Sequence, residues 1–162
     1  MLKEKTLMSI GQTRFRDGEG VTFEYLESQF AEAADNFAVP VAFGRNQIQS
    51  GNMLSKTVID CMTMYHPNHV KDYNFYVFSI NRQGKYAFVD VWFGGSSELA
   101  TAQYAKENLF KMGSLDSYGK GAVIGSLMRG AVKGTLFAGK SKQEEEKNWY
   151  TMVDDIIDDV LK

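Results

Sequence analysis

Apolar residues recur at helical spacing near the start of the chain and again at its end. Five of them, at intervals of three and four residues, share one helical face: Phe23, Leu26, Phe30, Ala33 and Phe37. Thr22 is suited to cap this helix, which we predict to run to about Asn36. A second stripe predicts an amphipathic C-terminal helix over about 143–161, with Asp154, Asp155, Asp158 and Asp159 off the stripe: Trp149, Met152, Val153, Ile156, Ile157, Val160 and Leu161.

Between these helices the pattern changes to the alternation typical of strands. We predict strands at 5–15, broken by Gly11, and at 39–43 and 57–65. The best-defined element is a hairpin over 73–93 with a turn at 81–84, where Gly84 suits the left-handed conformation. Ser96 or Ser97 is suited to cap a further helix that ends near Met112.

The order of these elements predicts one α+β domain over residues 1–162. We expect an antiparallel sheet of about four to five strands with the hairpin 73–93 at its centre, helices packed on one face, and the amphipathic helix at the C-terminus. A chain of 162 residues that is 44% hydrophobic and 23% charged is long and apolar enough for one core.

The cysteine content and the charges of the chain bear on its cellular location and on its partners. The single cysteine, Cys61, cannot form an intramolecular disulfide, and no apolar run follows the first residues, so we expect a cytoplasmic protein. The net charge is −2 and the basic block at 111–142 lacks interleaved aromatic residues, which argues against nucleic-acid binding. We predict no transmembrane segment, because Arg129 and Lys133 interrupt the glycine-rich stretch that contains them.

That stretch, 113–142, is both glycine-rich and basic. Residues 111–142 carry a charge of +5, residues 143–162 carry −5, and we interpret the two blocks as neutralising each other in the fold. Over 121–139 an apolar arc lies opposite Arg129 and Lys133, but interior glycines weaken such a helix. It therefore needs a partner: the protein's own sheet or C-terminal helix, another subunit, or an anionic membrane surface.

Residues 134–141 match the phosphate-loop pattern G-x-x-x-x-G-K-[ST], with Lys140 in the position that reaches phosphate in that motif. The motif requires a strand before it and a parallel sheet after it, whereas helix-like residues precede it here and only 21 residues follow. We interpret the match as coincidental.

The remaining candidates lie in the strand region. Tyr86, Asp90 and Trp92 share one face of a predicted strand. If that face is enclosed, Asp90 needs a partner or has a raised pKa; we favour an exposed Asp on a partly solvated face, or a pair with a cross-strand Lys or Arg. Cys61, His66, His69 and Asp72 match no standard zinc spacing, so we expect no metal site. No catalytic set is evident and no cofactor is expected.

These observations favour a non-catalytic binding or protein-interaction module that binds a protein partner or associates with itself. The candidate binding residues are Tyr86, Asp90, Trp92, Arg129, Lys133 and Lys140. Two alternatives stay open: an enzyme or binder of phosphate-bearing small molecules that uses the glycine-rich segment, and a peripheral membrane protein that uses residues 121–139.

Overall fold

A computed structural model describes residues 1–100 and 140–162. Its strands form one six-stranded sheet in the order β1-β3-β4-β5-β6-β2. The strands are β1 (Leu2–Lys3), β2 (Met8–Phe15), β3 (Ala42–Gly51), β4 (Lys56–Tyr65), β5 (Phe75–Gln83) and β6 (Tyr86–Gly94); the helices are α1 (Phe23–Asn36) and, at the C-terminus, α2 (Lys140–Leu161).

The α+β fold is confirmed, but the predicted sheet of four to five antiparallel strands is wrong in two respects. The sheet has six strands, and β1 pairs with β3 in parallel, so the sheet is mixed. The two-residue β1 is too short to show an alternating pattern, which is why the sequence did not reveal it. All other neighbouring strands are antiparallel.

The central hairpin has a tighter turn than predicted. β5 continues to Gln83 and only Gly84 and Lys85 lie between the strands, with Gly84 at φ +61°. Gly11 does not end its strand. It lies at a bulge in the pairing of β2 with β6, at φ 148°, a conformation that glycine adopts without strain.

Both helices pack on the same face of the sheet. Leu26 and Phe30 from α1 and Trp149, Val153, Ile156 and Ile157 from α2 are buried against Met62, Tyr76, Phe78, Val89 and Val91. A smaller apolar cluster, formed by Leu7, Ile48, Cys61 and Val77, is separate from this core. Strand alternation places Cys61 and Val77 on the face opposite the helices.

The buried arc of α2 is wider than its apolar stripe. Asp154, expected off the stripe, is 1% exposed, and Asp158 is half-buried, whereas Met152 is 40% exposed. The reason is that α2 contacts α1 as well as the sheet, so two sides of the helix are covered.

A polar network holds the start of α2 against the end of the sheet. The Asn74 N–H donates to the Tyr150 hydroxyl (2.7 Å), which donates to Glu146 Oε1 (2.6 Å). Ser97 Oγ also donates to Glu146 Oε1, and Ser97 accepts from the Ala100 N–H at 3.3 Å. The predicted cap at Ser97 is therefore confirmed for the helical residues 98–100, and the predicted continuation to Met112 lies outside the described residues.

None of the helices in residues 1–100 and 140–162 is long and apolar enough to cross a membrane.

Candidate functional site

The outer half of the β3–β4 hairpin separates from β5. β4 pairs with β3 along all of Lys56–Tyr65, but it pairs with β5 only over Cys61–Met64. The outer half of β4, Lys56–Asp60, thus has a backbone edge that no strand of the described residues covers. We call residues 46–60 the β3–β4 arm.

The end of β5 that has separated from β4 is anchored by Arg82. The Arg82 guanidinium donates to the backbone carbonyls of Gly18 and Val21, in the loop that leads into α1. These charge-assisted bonds hold the end of β5 beside that loop. A cleft of about 480 Å³ lies between the two strands, with Phe23, Ile59 and Ile80 among its lining residues.

The turn at the tip of the arm is built to present two apolar side chains to solvent. Asn52 Oδ1 accepts from the N–H groups of Leu54 and Ser55, each at 3.0 Å, and the Asn52 N–H donates to the Ser55 carbonyl at 3.1 Å. Gly51 adopts φ +96°. Within this ordered turn Met53 is 94% exposed and Leu54 is 97% exposed.

The exposed surface continues along the strand that follows the tip. All of residues 51–60 are exposed, including Val58 at 46% and Ile59 at 40%. Asp60 accepts from Gln47 Nε2 at 2.9 Å, across the arm. A strand edge of this kind offers unpaired N–H and C=O groups together with alternating side chains, which is what a partner strand binds.

The predicted binding residues on β6, which are Tyr86, Asp90 and Trp92, share one face of that strand. Asp90 is half-buried on this face and accepts from Gln12 Nε2 at 2.7 Å, so its hydrogen-bond partner is a neutral amide on the neighbouring strand β2. Tyr86 is 41% exposed. Trp92 lines a cleft of about 770 Å³ together with three lysines: Lys3, Lys5 and Lys56.

The other predicted binding residues fall partly outside the described structure. Arg129 and Lys133 lie outside the described residues. The backbone of Lys140 begins α2, so positions 140 and 141 of the phosphate-loop match are helical and its first six positions lie outside the described residues.

The described residues provide no evident catalytic or metal centre. Burial, reinforced by the charge of Asp60, raises the pKa of Cys61 to about 11, so its thiol stays protonated at neutral pH and is a poor nucleophile. His69 contacts Asp72 at 2.8 Å and stacks on Tyr73, and burial lowers the pKa of His66. Within residues 1–100 and 140–162 no three His, Cys, Asp or Glu side chains are arranged to hold a metal ion.

The arm was not recognised in the sequence as a functional surface. The feature of the sequence that could have indicated it is the adjacent pair Met53-Leu54. Asn52 and Ser55 on either side are typical turn residues, so the pair places two large apolar side chains in a turn. No family model matches the chain, and no significant match was found among curated proteins or solved structures.

Proposed function

We propose that this protein is a non-catalytic protein-interaction module that binds its partner through the β3–β4 arm. The observation that carries the proposal is the edge of Lys56–Asp60, which pairs with no β5 residue or other strand of the described residues and is exposed along its whole length. A partner strand that pairs with this edge, in the gap between β4 and the diverging end of β5, satisfies backbone groups that pair with no strand of the described residues.

Side chains on the arm support the same function. Val58 and Ile59 lie on opposite faces of β4 and each is exposed by 40% or more. A strand that pairs at this edge therefore gains an apolar contact on either face of the sheet. The rigid turn keeps Met53 and Leu54 in place without the entropic cost of ordering a loop on binding.

The proposal keeps the cytoplasmic location expected from the lone cysteine. Cys61 is buried, and its raised pKa suits a thiol that serves as a small apolar core residue.

Photo-crosslinking in cells tests the proposal. A photoreactive amino acid is placed at Val58 or at Leu54 on the arm, and at Met152 on α2 as a control, since Met152 is 40% exposed and lies off the arm. We expect discrete protein adducts from the two arm positions, mapped by mass spectrometry to one segment of the partner, and no such adducts from position 152.

Substitution of the edge provides the matching loss of function. Lysine on an edge strand opposes pairing with another strand, so Ile59→Lys should remove the adducts formed from position 54. Equal crosslinking at 54, 58 and 152, or adducts that persist in Ile59→Lys, would contradict the proposal.

A further inference from the structure

We infer that the partner strand is the same strand of a second copy of this chain, paired antiparallel about Val58. This inference rests on the proposed function, because it names the occupant of the same edge. Lys56 and Asp60 lie two residues on either side of Val58 on the uncovered part of β4.

The sequence of this edge is complementary to itself in one register. If Val58 lies opposite Val58 of the second copy, Lys56 lies opposite Asp60 of the second copy and Asp60 lies opposite Lys56 of the second copy. Alternation places Lys56, Val58 and Asp60 on one face of the strand, so each ion pair flanks the central valine contact. Thr57 and Ile59 pair with each other on the opposite face.

The same register brings the tip of each arm to the cleft at the base of the other. Once Lys56 lies opposite Asp60 of the second copy, the turn before Lys56 lies next to the 480 Å³ cleft, which is lined in part by Ile59 and Asp60. Phe23 and Ile80 give that cleft apolar walls, and Met53 and Leu54 are the most exposed large apolar side chains of the described residues. Burial of the tip in the cleft removes both apolar surfaces from water.

The pairing is isologous, since the same residues are used by both copies about a two-fold axis. It closes after two chains, because each arm occupies the edge of the other. We therefore expect a dimer rather than an open chain of subunits.

Charge exchange between positions 56 and 60 tests the register. Sedimentation velocity from micromolar to millimolar protein should show the wild-type mass rising from 18.2 kDa toward twice that value. Lys56→Asp and Asp60→Lys each place like charges opposite one another, and each variant alone should dimerise at least about tenfold more weakly. An equimolar mixture of the two variants restores both ion pairs, and the mixture should dimerise like the wild type.

Lys85→Asp is the matched control, because it changes the charge equally at an exposed position outside the arm. This variant should behave like the wild type. A wild-type chain that stays monomeric up to millimolar concentration would overturn the inference, as would a dimer that Lys56→Asp leaves unchanged or a mixture of the two variants that stays monomeric.

A cysteine at the two-fold position gives a readout that does not depend on charge. Val58→Cys places two thiols opposite each other across the dimer and should form a disulfide-linked dimer on addition of an oxidant, whereas Lys85→Cys should not. Cys61 is fully buried and does not interfere. Failure of Val58→Cys to crosslink more than Lys85→Cys would also overturn the register.

The two proposals fail in different ways. If the chain is monomeric but photo-crosslinks from position 58 join it to a different protein, the self-pairing is wrong and the interaction function stands. If neither dimer nor position-specific adduct is found, both are wrong.

Discussion

Burial affects the ionisation of the Glu146 carboxylate. It accepts hydrogen bonds from the hydroxyls of Ser97 and Tyr150, and these bonds favour the charged form. Desolvation is the larger effect, and it raises the pKa of Glu146 above its ordinary value of 4.5. The folded chain therefore holds a proton at this carboxyl to a higher pH than the unfolded chain does.

The sign of that shift gives a prediction for Glu146→Gln. The favourable contribution of the protonated carboxyl is fully present below pH 4.5 and is lost as the pH rises through the folded-state pKa. The amide of Gln does not titrate and its oxygen still accepts from Ser97 and Tyr150. The free energy of unfolding of Glu146→Gln relative to the wild type should therefore increase from pH 4 to pH 8 in urea titrations. A difference that is constant or decreases over this range would contradict the burial argument.

The arm turn depends on the conformation of Gly51. A Cβ added at this residue would lie 1.9 Å from the Ser55 carbonyl oxygen, and φ is +96°. We expect Gly51→Ala to lower the free energy of unfolding by about 1–3 kcal/mol, the usual range for local backbone strain. Gly20→Ala is the control, because nothing lies within 4 Å of a Cβ at that position. Urea titration compares the two variants, and equal stabilities would show that the turn relaxes freely.

At the scale of single elements, the buried apolar face of α2 contributes to the stability of the fold. Ile156 is 1% exposed, whereas Met152 on the same helix is 40% exposed. An aspartate in place of Ile156 would put a carboxylate into the apolar core. Burial of an unpaired charge lowers the free energy of unfolding by several kcal/mol.

The matched pair Ile156→Asp and Met152→Asp tests this difference. We expect Ile156→Asp to lower the free energy of unfolding by about 3–5 kcal/mol and to leave little folded protein. Met152→Asp should change it by about 0.5 kcal/mol or less, since its side chain already contacts water. Thermal melting followed by circular dichroism measures both, and similar melting temperatures for the two variants would mean that α2 does not carry the core.

The sequence predicts well those elements whose bounds are set by nearby residues. It predicts poorly those whose bounds depend on contacts between residues far apart in the chain. The α1 prediction was right because Thr22 caps the helix locally, by accepting from the Tyr25 N–H at 3.1 Å, and its apolar period is regular. The predicted strand 39–43 ends eight residues before β3 does, at Gly51. Gln47 and Gln49 lie on an arm that the core does not cover, so no apolar alternation marks that part of the strand.

The candidate site was missed for the same reason. Among the described residues, the edge of Lys56–Asp60 is unpaired where β5 diverges from β4, and the end of β5 is held by Arg82 at Gly18 and Val21, more than 60 residues away in sequence. No local pattern reveals such a contact. The shared face of Tyr86 and Trp92, by contrast, follows from strand alternation alone and could be predicted.

At the scale of the whole molecule, the two faces of the sheet differ in how they are packed. The helices α1 and α2 cover one face with the main core, and a smaller cluster around Ile48 and Cys61 is separate from that core. A partner at the β3–β4 arm pairs with the outer half of β4, which lies outside the main core. Binding at the arm therefore adds to the stability of each folded chain without any change in its core packing.

This link between binding and folding gives a prediction for thermal unfolding. The proposed dimer forms from folded chains, so association favours the folded state. Each tenfold increase in protein concentration should therefore stabilise the folded dimer relative to two unfolded chains by about 1.4 kcal per mole of dimer. The melting temperature of the wild type should rise with concentration, whereas that of Lys56→Asp should stay constant until much higher concentration. Differential scanning calorimetry over a hundredfold range of concentration measures both. A wild-type melting temperature that does not depend on concentration, in the range where sedimentation shows a dimer, would mean that the association is not coupled to the folded arm.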